Sequence, residues 1–234
     1  MEHKRLTLFA GHYGSGKTNI AVNYALLLAG EGKQVCIGDL DIVNPYFRTK
    51  DSAKVLEDAG VTLISPQFAN SNVDLPALPA EAYRLVEDKS IYGIMDIGGD
   101  DRGAYALGRY VPAIRAEGNY RMVFVANCYR PLTRTPEEAL EVMREIESAC
   151  GLSFTDIINN SNLGNETTPE TVLQSLDYIQ SLSSLSGLPV FATTAEHNVA
   201  KQLQGRIKPL IPLKLQEKYF DLPSQKPGNR PLWG

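Results

Sequence analysis

Short apolar runs alternate with stretches of helical periodicity along almost the whole chain. Leu6-Thr7-Leu8-Phe9-Ala10 reads as a buried strand, and Thr18 to Ala29 as a helix with apolar positions at helical spacing. Val35-Cys36-Ile37-Gly38 reads as a second strand, followed by a helical stretch from about Thr49 to Ala59 and a third strand over Val61-Thr62-Leu63-Ile64. A loop rich in Pro, Asn and Ser runs through Asp74-Leu75-Pro76-Ala77-Leu78-Pro79. Ala80 to Asp88 reads as helix, Ile91 to Met95 as strand and Tyr105 to Ala116 as helix. Met122-Val123-Phe124-Val125-Ala126 has no polar break, the pattern of a strand covered on both faces. Thr135 is an N-cap, with Pro136 at the first helical position, Glu138 completing a capping box and Gly151 as the stop. Asp156-Ile157-Ile158 is a strand, Thr168-Pro169-Glu170 opens another helix, and Val190-Phe191-Ala192-Thr193 is a further strand. Alternation of this kind predicts right-handed βαβ units: an α/β fold of three αβα layers around a mostly parallel sheet. The expected organisation is one domain over residues 1–213. A proline- and glycine-bearing extension over 214–234 is expected to be packed on it or loose.

Between the first strand and the first helix lies Gly11-His12-Tyr13-Gly14-Ser15-Gly16-Lys17-Thr18, which matches G-x-x-x-x-G-K-[ST], the phosphate-binding P-loop. Strand, glycine-rich loop and helix form the unit that wraps a triphosphate. The glycines let backbone N–H groups approach phosphate oxygens, and the helix N-terminus adds partial positive charge. In this reading Lys17 reaches the β- and γ-phosphates, the Thr18 hydroxyl sits on Mg²⁺, and Asn19 follows in the first helical turn.

Three more polar segments fall at strand ends, where ligands bind in parallel α/β sheets. In Gly38-Asp39-Leu40-Asp41, period-2 alternation points Asp39 and Asp41 to one side, where they can hold metal-bound water or orient an attacking water, or else close a polar turn. Ile94-Met95-Asp96-Ile97-Gly98-Gly99 is an apolar strand ending in Asp, the Walker B pattern, with a Gly pair that can bend under a γ-phosphate. In Asn159-Asn160-Ser161-Asn162, Asn159 can present an amide to a purine edge or build an Asn-rich turn. His197 is read as solvent-facing, and Arg48 and Arg102 as phosphate or partner contacts or surface ion pairs. Tyr129-Arg130-Pro131 follows the fifth strand and can line the same face.

Composition narrows the classes. Of 234 residues 43% are hydrophobic and 21% charged, which describes an ordinary globular chain. A net charge of −4 argues against a broad nucleic-acid-binding surface. Cys36, Cys128 and Cys150 are scattered with no C-x-x-C, which argues against an iron–sulfur cluster and fits free thiols in a cytoplasmic protein. Met1-Glu2-His3-Lys4-Arg5 runs straight into the first strand without a signal peptide, and no apolar run approaches membrane-spanning length. Leu213 to Phe220 is a short segment followed by Asp221, a poor membrane-targeting helix.

The P-loop, the Asp39-Leu40-Asp41 segment, the Asp96-Ile97-Gly98-Gly99 segment and the Asn159 turn occur in an order and spacing that resemble the MinD/ParA/CobQ/CobB group of P-loop proteins, the SIMIBI class, over about residues 4–205. The resemblance implies ATP or ADP rather than a guanine nucleotide, Mg²⁺, and a homodimer with nucleotide near its interface. It aligns Asp41 with the residue that positions water and Asp96 with the Walker B carboxylate. One branch of the group reads G-K-G-G-x-G-K-[ST], its first lysine reaching the partner's nucleotide; here that position is His12 and the next is Tyr13. A near-neutral imidazole does not replace an ammonium. The departure leaves slow hydrolysis, stimulation by a protein partner, or Arg48 or Arg102 in the activating role.

The expectation is a magnesium-dependent ATP-binding switch or weak ATPase, with Lys17, Asp41 and Asp96 catalytic. Gly11, His12, Tyr13, Gly14, Ser15, Gly16, Lys17, Thr18, Asn19 and Asn159 are expected on the nucleotide, and Thr18, Asp39 and Asp96 on the metal. The alternative is an ATP-dependent small-molecule ligase of the CobQ/CobB or dethiobiotin-synthesising kind, with Asn70 to Ala77 and Tyr129-Arg130 as the acceptor pocket. A DNA-positioning module is a third possibility, disfavoured by the acidic charge.

Overall fold

In the computed structural model the described residues are 2–40, 52–65, 80–99 and 101–215, with the side chains of Ala80, Asp101 and Arg102 left outside the description. Among the described residues eight strands form one sheet: β1 (Leu6–Ala10), β2 (Val35–Leu40), β3 (Thr62–Ile64), β4 (Tyr92–Ile97), β5 (Tyr120–Ala126), β6 (Asp156–Asn159), β7 (Val190–Glu196) and β8 (Leu210–Leu213). Their order is β3-β2-β4-β1-β5-β6-β7-β8, and every pairing is parallel. The helices are α1 (Lys17–Gly30), α2 (Ala53–Asp58), α3 (Arg84–Glu87), α4 (Asp101–Gly108), α5 (Val111–Glu117), α6 (Pro136–Cys150), α7 (Pro169–Gln174), α8 (Leu176–Ser186) and α9 (His197–Leu203). The three-layer α/β arrangement expected from the alternation is the one observed.

Strand parity decides what faces each layer. Phe9, Ile37, Ile94, Val123, Val125 and Ile158 pack on one face with Ile20, Ala21, Tyr24 and Leu28 of α1 and Leu56 of α2. Leu8, Met95, Phe124 and Ile157 pack on the other with residues of α3, α4, α5, α6 and α8. All five residues of β1 and all six of β2 are buried, as strands covered on both faces must be. The chain runs out to β3, returns to β4 beside β1, and then builds β5 to β8 on the other side. The carboxyl end of β1 therefore lies where the winding direction changes, which is where such sheets hold ligands.

Local chemistry sets the boundaries. α6 has the expected capping box: the Thr135 hydroxyl accepts from Glu138 N–H and the Glu138 carboxylate accepts from Thr135 N–H. It ends at Gly151 in the left-handed conformation. α7 starts the same way from Thr168 and Thr171. The expected single helix over Tyr105–Ala116 is two, α4 and α5. The chain turns after Gly108, and Pro112 lies in the first turn of α5, where its missing N–H costs nothing. The helix expected over Ala80–Asp88 opens as a 3₁₀ turn before α3. β8 and α9 complete the sheet edge beyond the strands expected from sequence. Among the described residues no helix is long and apolar enough to cross a membrane. The three cysteines are free thiols, and burial pushes Cys36 up to about 11.

Candidate functional site

The P-loop leaves β1 at Ala10 and enters α1 at Lys17. Ser15 N–H closes the turn onto His12 O at 3.1 Å. Gly16 caps α1 with φ 93° and, as a glycine, offers no side-chain cap to the first amides of the helix. A Cβ on Gly16 would stand 2.2 Å from Asn160 Nδ2, so the residue is fixed as glycine by space as well as by backbone. The Ser15 hydroxyl is buried and has no hydrogen-bond partner among the described residues. Lys17 is buried, and its Nζ donates to His12 O at 3.2 Å, back across the loop.

The two described carboxylates arrive by register. Asp39 on β2 pairs with Asp96 on β4, and Asp96 pairs with Phe9 on β1. Strand-paired residues of neighbouring strands lie roughly 4.8 Å apart. Asp39 shares the parity of Ile37, and Asp96 that of Ile94, so both side chains face the α1 layer, the side from which Lys17 and Thr18 emerge. Both are buried, at 2% and 1% exposure. Gly99 follows directly: a Cβ there would lie 2.8 Å from Tyr13 N and 2.9 Å from Lys17 Nζ. The Gly pair after the Walker B strand is thus pressed against the P-loop itself. Asp41, expected to position water, lies outside the described residues, as do Arg48, Asp100 and the Asn70–Ala77 segment. Arg102 lies in the first turn of α4.

His12 is half-buried, its Nδ1 3.1 Å from Tyr13 O. Desolvation holds it below the ordinary imidazole value and the Lys17 charge pushes the same way, against the opposing bond to Tyr13 O. Burial thus favours the neutral form of the ring. Tyr13 is 54% exposed at the crest of the loop. Asn19 O accepts from Asn23 Nδ2 at 2.7 Å in the first turns of α1. His197 is exposed at the start of α9, as expected.

Asn159, expected on the nucleotide, is held inside the fold by its own side-chain bonds. It is fully buried; its Nδ2 donates to Ser175 Oγ at 2.8 Å and its Oδ1 accepts from Ser161 N at 3.1 Å. The residue that touches the P-loop is its neighbour Asn160, to which the sequence pattern assigned no role. Its Nδ2 donates to Ser15 O of the P-loop at 2.6 Å, and its Oδ1 accepts from Thr194 Oγ1 at 2.6 Å. Parity carries the signal: Asn160 continues the Ile158 face toward α1, whereas Asn159 continues the Ile157 face away from it.

These residues fit a magnesium-bound phosphate. Glycine-lined backbone, the N-terminus of α1, the Ser15 hydroxyl and Lys17 supply donors and positive charge. Thr18, Asp39 and Asp96 offer the hard oxygen ligands Mg²⁺ takes, shared with phosphate rather than enclosed in a protein cage. Among the described residues no cluster of three or more His, Cys, Asp or Glu could hold a metal alone.

Fold and loop together define an α/β P-loop NTPase fold. The sequence matches no protein-family model and no curated protein. Solved structures do match. FtsY from Thermotoga maritima superposes with TM-score 0.54 at 16% identity, covering 83% of this chain and 62% of that one. FtsY from Mycoplasma mycoides gives TM-score 0.54 at 15% identity, covering 82% and 60%. The signal recognition particle 54 kDa protein from Aeropyrum pernix K1 in complex with GDP gives 0.52 at 16% identity, covering 80% and 40%. The chain spans less than two thirds of the length of each of these neighbours. They share its fold.

Proposed function

We propose that this chain is a magnesium-dependent nucleotide switch of the MinD/ParA/CobQ/CobB kind that binds ATP, hydrolyses it slowly and self-associates in the triphosphate state. The observation that supports it most is the in-register pair Asp39 and Asp96 beside the P-loop, with Gly99 packed on Lys17. In this reading the loop amides, Ser15 and Lys17 hold the β- and γ-phosphates. Thr18 and Asp96 ligate Mg²⁺, with Asp39 on its water shell, and Asp41 orients the attacking water. When bound, the metal neutralises the phosphate charge that develops during transfer. Gly98 and Gly99 follow the γ-phosphate and release when it leaves, which is the switching step. His12, neutral and half-buried, contributes no trans charge, so turnover is slow in the absence of a protein partner.

The nucleotide base is assigned to adenine on the sequence resemblance. One of the fold neighbours holds GDP, so guanine is the competing outcome. Titration calorimetry with Mg²⁺ and ATP, ADP, GTP or GDP tests both points. ATP binding that requires Mg²⁺ is expected, and preference for GTP would reassign the base. Lys17→Ala should weaken triphosphate binding by about a hundredfold, because charge-assisted hydrogen bonds to phosphate are lost. Wild-type protein that binds none of the four nucleotides overturns the reading.

A further inference from the structure

Beside the P-loop, on the side away from Gly99, stands a cation that the magnesium and lysine chemistry does not use. A Cβ on Gly14 would lie 3.6 Å from both Nε and Cζ of Arg130, so the guanidinium rests on the crest of the phosphate loop. Arg130 is exposed, and among the described residues its side chain has no hydrogen bond and no carboxylate within ion-pair distance.

The segment that carries it is built to hold it there. Asn127, fully buried at the end of β5, accepts at its carbonyl from Arg130 N (3.1 Å) and Thr133 Oγ1 (2.8 Å). Its Oδ1 accepts from Tyr129 N at 3.0 Å. Cys128 N donates to Ser161 Oγ at 3.1 Å, and Tyr129 OH to Thr171 O at 2.8 Å. Within this frame Leu132 holds φ 63°, a conformation that a branched side chain keeps only where its surroundings over-determine it, and such positions gather at ligand clamps. Its own side chain is 63% exposed, so burying Leu132 is not what the turn achieves. What the turn does achieve is to set Arg130 against Gly14.

We propose that Arg130 is a phosphate-sensing residue: its guanidinium donates to oxygens of the terminal phosphate of the triphosphate held in the same chain's P-loop. The inference rests on the nucleotide-binding reading above and adds the group that tells triphosphate from diphosphate. Lys17 reads the phosphates from inside the loop, whereas Arg130 lies over the crest, where a planar fork can engage two oxygens at once. A diphosphate leaves that fork idle.

Titration calorimetry of the full chain with Mg²⁺, using a non-hydrolysable ATP analogue and ADP, tests this on wild type, Arg130→Ala and Arg130→Lys, with Lys17→Ala in parallel. Arg130→Ala should lose about tenfold or more in analogue affinity while ADP affinity falls by less than about threefold, and Arg130→Lys should recover part of the difference. Arg130→Gln is a second neutral variant should Arg130→Ala fold poorly, and thermal melts report folding. If the wild type binds both ligands and Lys17→Ala abolishes binding, yet Arg130 variants keep the wild-type ratio or lose both affinities equally, the Arg130 assignment falls alone. Wild type that binds neither ligand overturns the assignment together with the reading beneath it.

Discussion

A single position separates the two asparagines at the end of β6, and it separates two roles. Asn160 ties Ser15 O of the P-loop to Thr194 Oγ1; Asn159 ties its own strand to Ser175. Removing either amide strands buried partners, at about 1–3 kcal/mol each. Both Asn159→Ala and Asn160→Ala should therefore lower the denaturation midpoint. Only Asn160→Ala should also weaken nucleotide binding, because it frees the loop that must hold its amides in place. Melts and calorimetry on the two variants, side by side, check this; equal binding by both would remove the loop-clamp role. The phosphate loop was legible from residue types alone, since Gly16, Lys17 and Thr18 have few other uses in that order. The clamp was not, because neighbouring amides look alike until strand parity assigns each to a face. Parity was already in the sequence: Ile158 and Asn160 alternate onto one side, and Ile157 and Asn159 onto the other.

Elements read well where caps or long apolar runs mark them and poorly where a short segment has no such marks. β1 and α6 matched to the residue, from an unbroken buried run and from a capping box with a glycine stop. β8 passed unread because Leu210-Ile211-Pro212-Leu213 is four residues long with a proline, tolerable only at a sheet edge. What holds the elements at the far end of the sheet is a buried ion pair. Arg5 bonds to Glu117, the last residue of α5, and its Nη1 donates to Leu85 O at 2.9 Å and to Asp88 O and Ile91 O at 3.3 Å. Lys89 Nζ approaches the same carboxylate at 2.7 Å. Side chains of Arg5 and Glu117 are 8% and 9% exposed, so breaking the pair leaves a buried charge alone. Glu117→Ala should cost about 3–5 kcal/mol by denaturant unfolding. Desolvation pushes the Glu117 carboxyl up, but the bonds and charges of Arg5 and Lys89 outweigh it and leave it below its ordinary value. A carboxylate lowered on folding contributes stability that is present above about pH 4.3 and lost as pH falls through the folded value. Unfolding measured between neutral and acid pH should show this loss in the wild type and a smaller one in Glu117→Gln.

On the scale of the molecule, the parallel sheet sends the P-loop, Gly98-Gly99, the Arg130 turn and the Asn160 segment out of one end. Large exposed apolar side chains come from the same elements: Tyr13, Tyr105 on α4, Leu132 and Leu163 are 54%, 67%, 63% and 46% exposed. Contiguous exposed apolar surface marks association sites, and the proposed self-association is assigned to this end on that ground. Sedimentation velocity should show self-association with Mg²⁺ and a non-hydrolysable ATP analogue but not with ADP. Tyr105→Ser with Leu163→Ser should weaken that association by about tenfold, since aromatic anchors dominate such contacts. Persistence of the wild-type association in the double variant would move the interface elsewhere.

The other end of the sheet carries a different kind of turn. Gly32, Gly60, Gly118, Gly151, Gly187 and Gly205 each lead from a helix into the next strand, all with positive φ and with open space where a side chain would be. This gives the molecule a handle. A dye or a surface tether placed on that side points the nucleotide end into solution. Ser153, exposed just past Gly151, is a fit attachment point, because Cys36 and Cys150 are buried and Cys128 is partly so. Labelled Ser153→Cys protein should keep its nucleotide affinity within about twofold of the unlabelled chain, so that switching can be watched on single tethered molecules.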